Sequence, residues 1–310
     1  MTVRPLDLLD LPALARYRRD MLSLDSARTL THGNPLGALA LISYLNPRRS
    51  IYTAVASENG RSLMGQVTQA ESGLSAHLTF LAPAGEADLL VLPLVETLAA
   101  QAGDWGAFHL LAEVDEHALA LRALRQAGFS MYAWQRIWRL AVPEAREADA
   151  LWRPVAELDW PAVQSLHNQI IPALLQPIEM LPKQAEGLVC RPNGELQAYT
   201  RMASGPAGVR HQPLIPPDCE CRPQLSALLN LVGQGRRRPI YVCVRSYQAW
   251  LESVLEEMGG QPGPQQAVMV KHLAKLQKAE QSVTAMEKVL VKPAAPVART
   301  AVSEDILLKK

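Results

Sequence analysis

The sequence predicts a mixed α/β protein, mainly antiparallel in its sheet, in which one domain plan occurs twice. Two observations predict it. The first is a strand–helix–glycine–strand unit over residues 108–140. Residues 109–114 are an apolar run long enough for one buried strand. Asp115 and Glu116 supply a helix start, and Ala118, Leu119, Leu121, Ala123 and Leu124 are strong helix formers at helical spacing. Gly128 stops that helix, because glycine takes the left-handed C-terminal position without a steric penalty. Residues 129–140 return as a second strand. The unit recurs as strand 240–245, helix 247–258, Gly259-Gly260 and strand 267–271. Placing Gly128 on Gly259 sets an offset of 131, which with no gap puts His109 on Ile240, Leu124 on Leu255 and Gln135 on Gln266. The second observation is an echo at the head of each half. Residues 4–13 (RPLDLLDLPA) match residues 153–162 (RPVAELDWPA) at an offset of 149, so the second copy is 18 residues shorter between the two landmarks. A solenoid repeats every 20–50 residues or so, which makes this a duplicated domain instead. The expected division is 1–145, 150–272, and a helical and flexible tail over 273–310.

In order, residues 3–6 read as a strand, and Asp10 caps a helix with Pro12 in its first turn. Residues 51–57 and 63–69 form a hairpin around Glu58-Asn59-Gly60. Glu71-Ser72-Gly73 turns the chain into strand 75–81, and Pro83-Ala84-Gly85 leads to a helix over 89–102. The second half repeats the plan. It has strand 151–155, helix 159–170, a hairpin of 188–191 and 196–202 around Pro192-Asn193-Gly194, strand 209–214 and helix 223–232. The tail carries Lys and Glu along 273–291 until Lys292-Pro293 breaks the pattern.

Composition narrows the function classes. The length of 310 residues allows about two domains at roughly 100–200 residues each. A formal net charge of +1 gives no overall pull toward nucleic acid or acidic membranes. The four cysteines, Cys190, Cys219, Cys221 and Cys243, read as reduced thiols, so a cytoplasmic location is expected. Cys219 and Cys221 lack a second pair at zinc-site spacing, and no metal is expected. No secretory signal opens the chain, and the most apolar helix, 89–102, is too short for a bilayer and contains Glu96. Arg236-Arg237-Arg238 reads as a solvated loop, without the interleaved aromatics of a nucleic-acid site.

A strand hairpin, a third antiparallel strand, a loop and helix, then strand–helix–Gly-Phe–strand is the order of the GNAT acyltransferase superfamily. Arg4-Pro5 through Asp10-Leu11 and Ala123-Leu124-Arg125-Gln126-Ala127-Gly128-Phe129 carry the likeness, the latter resembling the family's LYxKxGF segment. The chain thus resembles a tandem GNAT protein. The resemblance implies acetyl-CoA or another acyl-CoA as cofactor. It also implies transfer of the acyl group to an amine of a small molecule or protein. In that family the cofactor lies in a wedge between two parting strands, its pyrophosphate on backbone amides at a helix start. Here the implied cofactor-binding residues are Leu81, Ala84, Gly85, Glu86, Ala87 and Asp88. The loop departs from the family pattern: aligned on Gly85 and Ala87, Ala82 stands where Gln or Arg is usual; aligned on Pro83, the loop is shorter and Glu86 stands there. Glu86 and Asp88 add negative charge. The equivalent loop of the second half, Pro216 to Cys221, has no glycine, and no cofactor is expected there. Leu124 and Leu255 occupy the position of the family's proton-donating Tyr, with Ala118 and Ala249 six residues before them in place of Asn. Glu71 and His77 are the candidate general bases. The alternative expectation is a GNAT-fold protein without catalysis that binds a ligand or partner.

Overall fold

The computed structural model describes residues 1–36, 49–70, 73–85, 89–141, 151–181, 187–192, 194–233 and 238–273. The tail expected to be helical lies, from residue 274 on, outside the described residues. The first half runs β1 (Thr2–Pro5), α1 (Leu11–Arg16), β2 (Leu22–Ser23), α2 (Ser26–His32), β3 (Arg49–Glu58), β4 (Arg61–Ala70), β5 (Ser75–Ala82), α3 (Val91–Asp104), β6 (His109–Asp115), α4 (Ala120–Gln126) and β7 (Ser130–Leu140). The second runs β8 (Trp152–Pro154), α5 (Trp160–Ile170), β9 (Gly187–Cys190), β10 (Ala198–Ser204), β11 (Val209–Leu214), α6 (Cys221–Gly233), β12 (Ile240–Arg245), α7 (Trp250–Glu257) and β13 (Gln261–His272). These strands form one sheet in the order β1-β3-β4-β5-β6-β13-β7-β12-β11-β10-β9-β8, with β2 attached to β5. The pairs β5–β6 and β11–β12 are parallel, and the other neighbours are antiparallel.

The last strand of each half is exchanged. By the offset of 131, β7 and β13 are equivalent, yet β13 pairs with β6 and β7 pairs with β12. The two also pair with each other, with Gln135 opposite Gln266. These glutamines stand 131 apart in sequence, and Gln135 Nε2 donates to Gln266 Oε1 at 2.8 Å. A local two-fold relation therefore centres on them. The cores follow the exchange: Ala267 and Met269 bury among Leu110, Val114 and Leu124, while Trp138 and Leu140 bury among Val242, Leu251 and Leu255. Neither half completes its apolar core without a strand from the other.

The two sequence echoes have local causes. Asp10 accepts from both terminal nitrogens of Arg4 at 2.7 and 2.8 Å and from the Asp7 amide at 2.9 Å. Asp159 does the same with Arg153 at 2.7 and 2.8 Å and the Ala156 amide at 2.8 Å. Asp10 therefore makes no side-chain cap to α1, contrary to expectation. A two-pronged, charge-assisted pair outcompetes a single bond to a helix amide. At the other echo, Gly128 and Gly259 both take the left-handed backbone, φ 86° and 78°. The next residue's amide reaches back to the helix, Phe129 to Leu124 O at 3.0 Å and Gly260 to Leu255 O at 2.9 Å. The helix before Gly128 starts later than the sequence suggested, at Ala120. Asp115 stays in β6, where its carboxylate accepts from Gln266 Nε2 at 2.8 Å.

Candidate functional site

In each half, two parallel strands part after three residue pairs. β5 follows β6 from Ser75–His109 to His77–Leu111, and β11 follows β12 from Val209–Ile240 to His211–Val242. Parting strands leave backbone groups without their ladder partners, and buried groups of that kind must be satisfied.

In the first half the chain's own backbone does this. β2 pairs antiparallel to β5, Leu22 with Leu81 and Ser23 with Phe80. The Leu24 amide then donates to Thr79 O at 3.0 Å, and Leu24 O accepts from the Glu113 amide at 2.9 Å. The segment thus spans the gap from β5 to β6. The Leu24 side chain is 1% exposed and sits in the first-half core. At the mouth, the Ala84 amide donates to Asp20 Oδ1 at 3.2 Å. In the second half a side chain covers the β11 edge alone. Gln248 is fully buried; its Nε2 donates to Pro213 O at 2.9 Å and its Oε1 accepts from the Ile215 amide at 3.2 Å. Trp250 Nε1 donates to Ile215 O at 3.2 Å beside it.

Of the residues that the sequence nominates for cofactor binding, Leu81 is buried and paired with Leu22, and Ala84 is tied to Asp20. Gly85 is exposed in a turn, with nothing within 4 Å of where a Cβ would stand. Glu86, Ala87 and Asp88 lie outside the described residues, as does Glu71. His77 is half-buried on β5, opposite Thr68 and Leu111. Leu124 and Leu255 are fully buried core residues. Arg238 donates to Gly205 O, while Arg236 and Arg237 lie outside the described residues.

The charged groups that sequence reasoning missed gather on the sheet face away from α3 and α6. Glu113 of β6 lies 3.7 Å from Arg245 of β12 and 4.0 Å from Arg210 of β11. It also accepts from the Ser26 amide at 2.9 Å and from the Ser26 hydroxyl. Burial acts to raise its pKa, but Arg210, Arg245 and Ser26 together outweigh burial and hold it at about 2. Arg245 continues to Glu179, 3.2 Å from Nε, and to Gln135 Oε1 at 2.6 Å. Tyr132 donates to Glu179 at 3.1 Å. Burial, with Arg210 nearby, drives the His211 pKa down to about 4, so this imidazole is neutral at pH 7. A shallow pocket opens beside this network, between α5, the segment after it, β10 and β11, with Arg201 in its lining. The missed signal was in the strands themselves: a charge inside HLLAEVD and Arg210-His211-Gln212 inside a buried six-residue strand.

No protein-family model and no curated protein matches the chain. Solved structures do. A GCN5-related N-acetyltransferase from Sphaerobacter thermophilus matches at TM-score 0.51 and 12% identity, over 88% of this chain and 95% of its own. A Drosophila protein matches at TM-score 0.50 and 16% identity, over 88% and 99%. The chain has the GNAT fold, twice over.

A GNAT fold implies an acyl-CoA, and the described residues do not fit one. The backbone edge of β5 past Thr79 is taken by β2, and the Ala84 amide is taken by a carboxylate, whose charge repels a pyrophosphate. In the second GNAT-like half, Gln248 and Trp250 hold the corresponding edge. Among the described residues no three metal-ligating side chains gather, and no helix is long and apolar enough to cross a membrane.

Proposed function

We propose that this chain is a GNAT-fold binding module without acyl transfer. The carrying observation is that both wedges are filled by the chain itself, Leu22 to Leu24 in one and Gln248 in the other. Emptying either would strand buried backbone groups at about 1–3 kcal/mol each. Two buried leucines at the acid positions support the same reading. The division into repeats 1–145 and 150–272 belongs to this proposal, with two apolar clusters per repeat and the last strand of each exchanged. So does the cytoplasmic location, on the strength of four free thiols. Calorimetry with acetyl-CoA up to millimolar concentration tests it. The expected result is no saturable heat, and saturable binding overturns the proposal.

The second reading is an acyl-CoA-dependent N-acyltransferase acting on an amine of a small molecule or protein, favoured by the fold's acetyltransferase likeness. It requires Leu22 to Leu24 to leave β5. Acetyl-CoA would then bind and speed amide exchange at Leu24, which the first reading forbids.

A further inference from the structure

We infer that the second-half pocket binds a small organic monocarboxylate through Arg201, which names the ligand class of the binding-module reading and rests on it. Tyr199 and Arg201 are two apart on β10 and so share a face. They pair directly with Leu214 and Gln212 of β11. Tyr199 and Leu214 are buried, while Arg201 keeps solvent access at the pocket. His167 Nε2 donates to Glu179 O at 2.6 Å and so fixes the segment after α5 against the strands. That segment contributes Ile171, Met180 and Leu181 as an apolar wall, and Glu179, which Arg245 and Tyr132 hold, lines the pocket beside them.

The charge balance selects an anion. The three arginines here, Arg201, Arg210 and Arg245, face two carboxylates, Glu113 and Glu179. Both carboxylates are engaged, Glu113 by Arg210, Arg245 and Ser26, and Glu179 by Arg245 and Tyr132. Among the described residues the Arg201 guanidinium makes no hydrogen bond or ion pair within 4 Å and is attracted only at longer range by Glu179, so three arginines against two carboxylates leave one positive charge over. Gln212 Oε1 faces Arg210 Nη1 at 3.4 Å, so its amide N–H groups remain as donors beside Arg201. A guanidinium fork matches a planar carboxylate with two parallel hydrogen bonds. The apolar wall then favours an aliphatic tail over a compact, multiply charged phosphate.

The test is calorimetry of the full chain with hexanoate, hexanamide and inorganic phosphate, on wild type, Arg201→Gln and Arg201→Lys. Saturable hexanoate binding is expected. Hexanamide and R201Q should each weaken it at least tenfold, with R201K in between. No hexanoate binding, equal binding of hexanamide, tighter binding of phosphate, or R201Q binding like wild type would each overturn the inference. Should R201Q fail to fold, the hexanamide comparison on wild type and the R201K result decide. Failure here leaves the acetyl-CoA experiment standing, and acetyl-CoA binding removes the non-catalytic reading whatever hexanoate does.

Discussion

Glu113→Gln should destabilise the protein at neutral pH and do progressively less harm in acid. The Glu113 side chain is 12% exposed and bound to Arg210, Arg245 and Ser26, which join β6, β11, β12 and the start of α2. Its carboxyl is held at about 2 against an ordinary 4.5. At 1.36 kcal/mol per tenfold change in proton affinity, that difference is worth about 3 kcal/mol at pH 7. The figure agrees with the roughly 3–5 kcal/mol lost when a buried pair is broken from one side. For a chain of 310 residues, at roughly 2.1 cal/mol/K of unfolding entropy per residue, it lowers Tm by about 5 °C. The folded pKa is depressed, so the contribution is complete above pH 4.5 and disappears as pH falls toward 2. Urea unfolding followed by tryptophan fluorescence, run from pH 7 to pH 2.5, measures the gap between wild type and E113Q. The gap should narrow below pH 4.5, and the Leu24 amide should exchange faster in the variant. Equal stability at pH 7, or a gap that does not change with pH, would refute the reasoning.

Other perturbations probe the turns, the second wedge and the thiols. Gly259→Ala should cost about 1–2 kcal/mol because its backbone is left-handed. Gly85→Ala, in open space, should stay within about 0.5 kcal/mol, and urea midpoints check both. Gln248→Ala should cost about 2 kcal/mol or more by thermal unfolding, since it orphans Pro213 O and the Ile215 amide together. In native protein, iodoacetamide should label Cys219, which is half-buried, ahead of Cys190 and Cys243. Both of those are buried, and burial pushes the Cys190 thiol up to about 11. Peptide mapping that finds Cys243 labelled first would contradict the buried β12.

The duplication was legible because its two landmarks are stereochemical. A left-handed turn demands glycine, so Gly128 and Gly259 remained; an arginine fork demands a carboxylate, so Arg4 with Asp10 and Arg153 with Asp159 remained. The strand exchange was not legible, because β7 and β13 carry the same apolar pattern whichever half they join. The charged network was invisible for another reason. Glu113, Glu179, Arg210 and Arg245 are far apart in sequence, and only the order of the sheet makes them one cluster. The sequence pointed to the cofactor loop near Gly85. The wedge is instead filled by a two-residue strand, Leu22–Ser23, too short to leave a periodic signature.

The two closures differ, and the difference bears on what the fold now does. By the offset of 131, Gln248 and Trp250 correspond to His117 and Leu119. Leu119 is 71% exposed and plugs nothing. Conversely, β2 fills the first wedge with backbone, whereas the second has a side-chain amide and an indole in that role. A closure inherited from before the duplication would use equivalent residues in both halves. These do not, so each half solved the same problem separately: parted strands need partners for Thr79 O and the Glu113 amide in one, and for Pro213 O and the Ile215 amide in the other. On the proposed binding-module reading no cofactor supplies those partners, so each wedge is closed from within, and two independent closures are the expected result.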